Sequence, residues 1–106
     1  MRYTYGFEKL AVWQASRQFA KKLYKASASF PKEELFGITS QIRRATISVS
    51  CNLAEGSARQ GVKDQHRFYE IAFGSGVEVV SLLILCNDFG FISDEDYAAL
   101  RSDLER

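Results

Sequence analysis

The residues best suited to chemistry in this sequence are basic side chains, which fall into two groups. The first group lies on one predicted helix, where steps of 100° per residue place its members on a single face that carries no acid. The second group surrounds the second and third predicted helices. Phosphate binding requires cations that are gathered in space, so we predict contact with a polyanion. The predicted contact residues are Arg17, Lys21, Lys22, Lys25, Arg43, Arg44, Arg59 and Lys63.

Two alternatives to phosphate contact remain open. A charged helix face can simply be solvated, and the sequence carries 14 Lys and Arg against 13 Asp and Glu, a net charge of +1 that is low for a dedicated nucleic-acid binder. The adjacent Arg43 and Arg44 can instead form ion pairs, inside the fold or across a subunit interface. The candidate partners are Glu55, Glu70 and Glu78.

Catalytic and metal chemistry have weaker support. His66 is the only histidine and has no neighbouring cysteine, so a solvent-facing role is favoured over a metal site. The segment Gly74-Ser75-Gly76 lies within a helical pattern that no strand precedes, which argues against a phosphate-binding loop. Ser48 and Ser50 have no nearby base. We therefore predict a protein that is not an enzyme and uses no cofactor, metal or small-molecule substrate.

The cysteines and the apolar runs indicate a cytoplasmic protein. Cys51 and Cys86 lie far apart in apolar helical patterns, which favours two reduced core thiols over a disulfide. The longest apolar run covers residues 79–86, well short of the roughly 18 to 20 residues needed to cross a bilayer. The first residues lack the apolar stretch of a secretory signal. We therefore predict that the protein does not contact a membrane.

Charge is distributed unevenly along the chain. Residues 1–67 carry a net charge of +7 and residues 68–106 a net charge of −6. Such polarity suits a polyanion-binding face, and it equally suits the basic half of one subunit meeting the acidic half of another.

The composition and periodicity predict helices that would position these groups. With 106 residues, of which 46% are apolar and 25% charged, the chain is predicted to form one domain over residues 1–106. A single proline and seven glycines favour long helices. Four are predicted: Glu8 to Ala28, about Pro31 to Glu55, Asp64 to Asp88, and one that follows Ser93. Short connections between them predict an all-α, up-down-up-down antiparallel four-helix bundle.

Several local features of these helices are also predicted. Gly56 and Gly90 should end helices in left-handed conformations, and Ser93 should cap the fourth helix. Gly74 and Gly76 lie in mid-helix, which predicts close approach of a neighbouring helix at that level. The run from Val77 to Leu85 is apolar on nearly every side, which predicts burial all round. The apolar arc of the first helix is too broad for one neighbour, so it should also pack against something outside its own bundle.

Several segments resemble one known protein family. These segments are Leu10 with Val12 and Trp13, residues 30–34, residues 40–45, residues 48–59, Phe68 with Tyr69, and residues 72–75. Together they resemble the four-helix bundle proteins encoded in intervening sequences of bacterial 23S ribosomal RNA genes, also labelled S23 ribosomal protein. The resemblance covers nearly the whole chain and is most specific from Gln41 to Arg59. It implies the bundle fold and no settled biochemical activity.

The chain is also similar to the accessory protein of diversity-generating retroelements, a strongly basic relative. That protein forms a five-membered barrel and contacts reverse transcriptase and nucleic acid, so the similarity implies a homopentamer. Two hypotheses follow. In the first, a ring of subunits offers a basic surface to RNA or to a nucleic-acid-binding protein. In the second, basic and acidic regions mate between subunits or with a protein partner, and no nucleic acid is bound.

Overall fold

A computed structural model describes residues 2–105, which form four α-helices and no strand. The helices are α1 (Ala11–Ser27), α2 (Ile38–Ala58), α3 (Val62–Asp88) and α4 (Asp94–Leu104). The longest contact runs between α2 and α3, while α1 packs on α2 and α4 packs on both α3 and α1. The predicted all-α four-helix bundle is confirmed.

Several helix ends differ from the predicted ones. Gly6–Lys9 and Lys32–Glu34 form short 3-10 turns, so α1 and α2 begin three to seven residues later than predicted. The prediction that Gly56 ends α2 is wrong, because the helix continues to Ala58. The stop at Gly90 is confirmed by its φ of 76°. The cap at Ser93 is confirmed as well, since its Oγ accepts a hydrogen bond of 3.1 Å from the amide of Asp96.

The core lies at the end of the bundle where α4 is present. Its most buried side chains come from three helices: Leu23 of α1, Ile42 of α2, and Val79, Leu83 and Cys86 of α3. Phe30, Ile92 and Leu100 pack against this centre from the connections and from α4. Burial of apolar side chains from every helix is the main stabilising term for a domain of this size.

The helix α4 is much shorter than its neighbour α3. Its 11 residues rise about 16 Å, against about 40 Å for the 27 residues of α3. Half of α3 therefore has no fourth helix beside it. The prediction that Val77 to Leu85 is buried all round is wrong: Val77 is 53% exposed, and Ile84 and Leu85 are each more than one third exposed.

The glycines of the long helices behave differently from the predictions. A Cβ on Gly56 would lie 2.6 Å from Cε1 of Tyr69 and 3.1 Å from Cβ of Phe68, so this glycine permits the close approach of α2 and α3. A Cβ on Gly74 or Gly76 would meet nothing within 4 Å. The prediction that these two glycines mark a close helix contact inside the bundle is wrong.

The substitutions Gly56→Ala and Gly74→Ala are expected to change stability in opposite directions. Alanine gains about 1 kcal/mol of helix propensity over glycine at either site. At Gly56 the added methyl group meets Phe68 and Tyr69, and overpacking of this kind costs about 1 to 3 kcal/mol. Urea denaturation should therefore show Gly74→Ala more stable than the native protein and Gly56→Ala less stable. A stabilised Gly56→Ala variant would contradict the close helix contact.

One described helix, α3, is long and apolar enough to pass a length and composition test for a membrane span, with a stretch of mean hydropathy 1.6. In this structure the same helix carries three of the most buried core residues, Val79, Leu83 and Cys86. Its apolar character thus serves the bundle core on one side. On the other side it leaves apolar surface exposed.

Candidate functional site

The predicted basic face of α1 is exposed to solvent. Lys21 and Lys25 are exposed, and neither forms a hydrogen bond or ion pair within residues 2–105. Lys22 lies at the edge of this face, where its Nζ makes an ion pair of 2.8 Å with Asp103. Arg17 is held over the ring of Trp13, with 5.7 Å between the guanidinium carbon and the ring centroid. The helix thus offers two unpaired lysines between anchored neighbours.

Arg43 connects α2 to the last turn of α1. Its Nε donates to Oγ of Ser27 at 2.8 Å, and its guanidinium lies 4.7 Å from the centroid of the Tyr24 ring. Because Tyr24 lies between the two unpaired lysines in sequence, Arg43 adds a fourth positive charge to this surface, near its end. We call Arg17, Lys21, Lys25 and Arg43 the basic face.

The predicted ion pairs of the two adjacent arginines do not form within the described chain. Glu55 pairs with Arg59 at 2.9 Å, and Glu70 lies 3.3 Å from the exposed His66. Neither Arg44 nor Glu78 has an ion-pair partner within residues 2–105. Arg44 lies exposed on the outer side of α2.

The structure does not bring all eight predicted contact residues together. Arg59 and Lys63 lie at the connection between α2 and α3, and Arg59 is 16 residues beyond Arg43 on or just past the same helix, about 24 Å along its axis. Arg59 is also occupied, since its guanidinium lies 4.7 Å from the Phe68 ring centroid while it pairs with Glu55. The expected clustering of Arg43 and Arg44 with Arg59 and Lys63 is therefore wrong.

A second surface was not predicted and is apolar. Side chains at steps of three and four along α3 form a row that points away from the core, with Phe73 75% exposed and Val77 53% exposed. We call this row the α3 stripe; it comprises Tyr69, Phe73, Val77, Val80 and Ile84.

The α3 stripe borders an open groove of about 380 Å³. The other walls are formed by Val12 of α1, Val49 and Leu53 of α2, and Leu104 at the end of α4. Among residues 2–105, no charged side chain lines this groove. It occupies the place that a longer fourth helix would fill. The apolar arc predicted for the first helix contributes Val12 to this groove, where the side chain remains 56% exposed.

The groups that could act as nucleophiles are occupied by structural contacts or lack a base. Hydroxyl pairs join the helices, Ser16 to Ser50 at 2.9 Å and Ser48 to Ser75 at 2.8 Å. Burial raises the pKa of the Cys86 thiol to about 11, which keeps it protonated and unreactive at neutral pH. Within residues 2–105 no three His, Cys, Asp or Glu side chains are placed to hold a metal ion.

The prediction of two buried thiols is correct for only one cysteine. Cys86 is fully buried in the core, whereas Cys51 is exposed on the outer side of α2. Cys51 lies in a short apolar pattern, but that pattern faces away from the bundle. Both thiols are free.

These features define a small all-α protein: a four-helix bundle with an exposed basic face and an exposed apolar groove. The chain belongs to the family of 23S rRNA-intervening sequence proteins, whose model matches residues 8–106. The predicted resemblance to this family is confirmed.

A solved structure supports the same fold. It is the crystal structure of a protein of unknown function from the S23 ribosomal protein family of Bacteroides thetaiotaomicron. The two chains share 23% identity with a TM-score of 0.82, over 90% of this chain and 89% of the other. At this identity the likeness concerns the fold. No curated protein sequence matches the chain.

Proposed function

We propose that this chain is a non-enzymatic scaffold protein that assembles into a homopentameric ring in the cytoplasm and presents its basic face to RNA or to a ribonucleoprotein. The observation that carries the proposal is the α3 stripe with its open groove. Contiguous apolar surface of this kind is rare on proteins that remain single and marks sites of association. The basic face lies on α1 and α2, outside the α3 stripe.

The groove favours assembly with further copies of the chain over binding of a charged ligand. In the part of the chain that the structure describes, the walls of the groove carry no charged group that could recognise phosphate or a polar substrate. A contact between different surfaces of identical subunits closes into a ring when the rotation between neighbours allows it. The resemblance to the retroelement accessory protein supports five as the number of subunits.

The unpaired cations support contact with RNA. Lys21 and Lys25 have no carboxylate partner within residues 2–105, so binding of a phosphate does not require an existing ion pair to break. A ring repeats this pair in every subunit and multiplies the number of phosphate contacts. Base-specific recognition is not part of the proposal, because the face offers charge without a groove shaped for bases.

Replacing Lys21 and Lys25 by glutamine is expected to weaken binding of single-stranded RNA and to flatten its salt dependence. Each lost phosphate contact should reduce the slope of log affinity against log salt by about 0.7. Fluorescence anisotropy with a labelled oligonucleotide at several salt concentrations measures both effects. The matched control replaces Lys63 and Arg67, which removes the same charge at the opposite end of α2 and α3. Equal losses from the two double variants would contradict a role for the basic face.

A second candidate function is self-assembly through charge complementarity, without nucleic acid. The uneven charge along the chain favours it, since exposed acids gather on α4 at Asp94, Glu95 and Asp96 while exposed lysines gather on α1. In that case the Lys21 and Lys25 double variant would lower the mass of the assembly and leave RNA retention unchanged. The proposed function requires that the same double variant keep the mass of the assembly and lose RNA binding.

A further inference from the structure

A small pocket lies where the end of α1 meets the beginning of α2. It encloses about 220 Å³, and its charged lining residues are two cations, Lys32 and Arg43. Two buried hydroxyl groups, of Ser27 and Thr39, also line it, and apolar side chains such as Phe30 form the remaining wall. A concave site with cations, one unpaired hydroxyl group and an apolar wall suits an anion, since interactions between charges are stronger next to a low-dielectric surface.

Thr39 is the first sign that the pocket has a ligand. The residue is 3% exposed, and its Oγ1 has no hydrogen-bond partner among the described residues. Buried hydroxyl groups are normally paired, because an unpaired one loses its hydrogen bonds to water without replacement. The hydroxyl oxygen is itself closed off from solvent, so a ligand oxygen supplies the missing partner only when the Thr39 side chain turns toward the pocket.

Arg43 is positioned in this pocket without being neutralised. Its Nε donates to Oγ of Ser27, and the same hydroxyl donates to the carbonyl oxygen of Tyr24 at 3.2 Å. No carboxylate within residues 2–105 lies within ion-pair distance of Arg43, and its Nη1 makes no hydrogen bond within these residues. The guanidinium therefore keeps donors for an anion while its orientation is fixed.

The beginning of α2 forms one side of the pocket. Thr39 and Arg43 are four residues apart and share one side of the helix. The first turn of α2 has neither an acidic residue nor a side-chain cap, but a carboxylate oxygen of Glu34 lies close to the N-cap residue Gly37 and offsets part of the positive helix end. Glu34 approaches Gly37 nearby but does not line the pocket.

We propose that this pocket binds a phosphate group, held by Arg43, Lys32 and the hydroxyl of Thr39, with Ser27 as the positioning residue for the guanidinium. The phosphate can be free inorganic phosphate or a phosphate of RNA. Binding of an RNA phosphate rests on the proposed function, whereas binding of free phosphate does not. The site itself requires neither assembly nor RNA binding.

The test is isothermal titration calorimetry of the full chain with inorganic phosphate, at constant ionic strength set with sodium chloride. Saturable binding of one phosphate per subunit is expected. Thr39→Val keeps the shape of the side chain and removes the hydroxyl, so it should weaken binding about tenfold. Arg43→Gln should abolish binding. Arg44→Gln removes the same charge from the next position and should leave binding unchanged.

Absence of saturable binding, or equal losses from Arg43→Gln and Arg44→Gln, would overturn the site. If Arg43→Gln fails to fold, Thr39→Val still decides the question, because unchanged binding by that variant would also overturn it. The source is identified with RNA oligonucleotides that differ only in a 5′-phosphate. Tighter binding of the phosphorylated form, lost in Thr39→Val, assigns the site to the RNA end. Equal binding of both forms, together with saturable inorganic phosphate, assigns it to free phosphate.

Discussion

Replacing Phe73 by serine is expected to convert the proposed ring into single subunits. Phe73 is the most exposed member of the α3 stripe and stands at the edge of the open groove. Large aromatic side chains near the centre of an interface often contribute 2 kcal/mol or more to association, and a ring repeats that loss at each contact. Light scattering on a sizing column should show the mass fall toward that of one chain, 12.0 kDa.

The control for this prediction is Phe36→Ser. Phe36 is 94% exposed, more than Phe73, but lies in the connection before α2 and outside the groove. The same chemical change should leave the mass of the assembly unaltered there. Circular dichroism should show unchanged helix content for both variants, since neither side chain is part of the core. Dissociation by Phe36→Ser together with an intact Phe73→Ser assembly would place the interface elsewhere.

Replacing Leu83 by alanine is expected to give the largest loss of stability among substitutions in α3. Leu83 is fully buried within the core cluster, where it packs together with residues of α1, α2 and α4. Truncation of such a leucine removes apolar contacts and leaves a cavity, at a cost of about 2 to 5 kcal/mol in the free energy of unfolding. Urea denaturation at a fixed subunit concentration measures the change.

Leu85→Ala is the matched control, because it makes the same truncation two residues further along the same helix. Leu85 is 38% exposed and belongs to neither the core cluster nor the groove. Its loss should cost less than about 1 kcal/mol. Both variants keep the α3 stripe, so association contributes equally to the two measurements. Similar costs for the two leucines would contradict the orientation of α3.

The sequence was sufficient to predict the number and type of helices. The spacing of apolar residues in each helix carries this information, and residues such as Ile42, Val79 and Leu100 lie in the core as their spacing requires. Gly90 and Ser93 were also interpreted correctly, because positive φ and side-chain capping are local properties. The end of α2 was predicted incorrectly because it depends on tertiary contact. Gly56 lies inside this helix, where Tyr69 and Phe68 pack against it.

The candidate surfaces were harder to predict because they depend on which parts of a helix stay uncovered. An apolar run such as residues 77–85 predicts burial, and the exposed sides of α3 at Val77, Ile84 and Leu85 become visible only in the packed structure. A signal was present in Phe73, which lies off the side of the helix that carries Ala72, Val79 and Cys86. The separation of Arg59 from Arg43 follows from the length of α2, which continues through Gly56.

The pocket at the beginning of α2 had no signal in the sequence. Thr39 was one of several small polar residues in that helix, and nothing in the pattern distinguishes an unpaired buried hydroxyl from an exposed one. Lys32 lies at the start of the predicted second helix, where its charge alone indicates no site. The four groups Ser27, Lys32, Thr39 and Arg43 come from three separate elements, so their convergence is a property of the fold.

The solution mass of the native chain, determined by light scattering at low and at high salt, tests the central claim most directly. Assembly through the apolar groove should give a mass near five times 12.0 kDa at both salt concentrations, because burial of apolar surface is not screened by ions. A monomer at both salt concentrations would contradict the proposed ring. An assembly that dissociates at high salt would contradict the groove as its interface and would favour contacts between the basic and acidic regions.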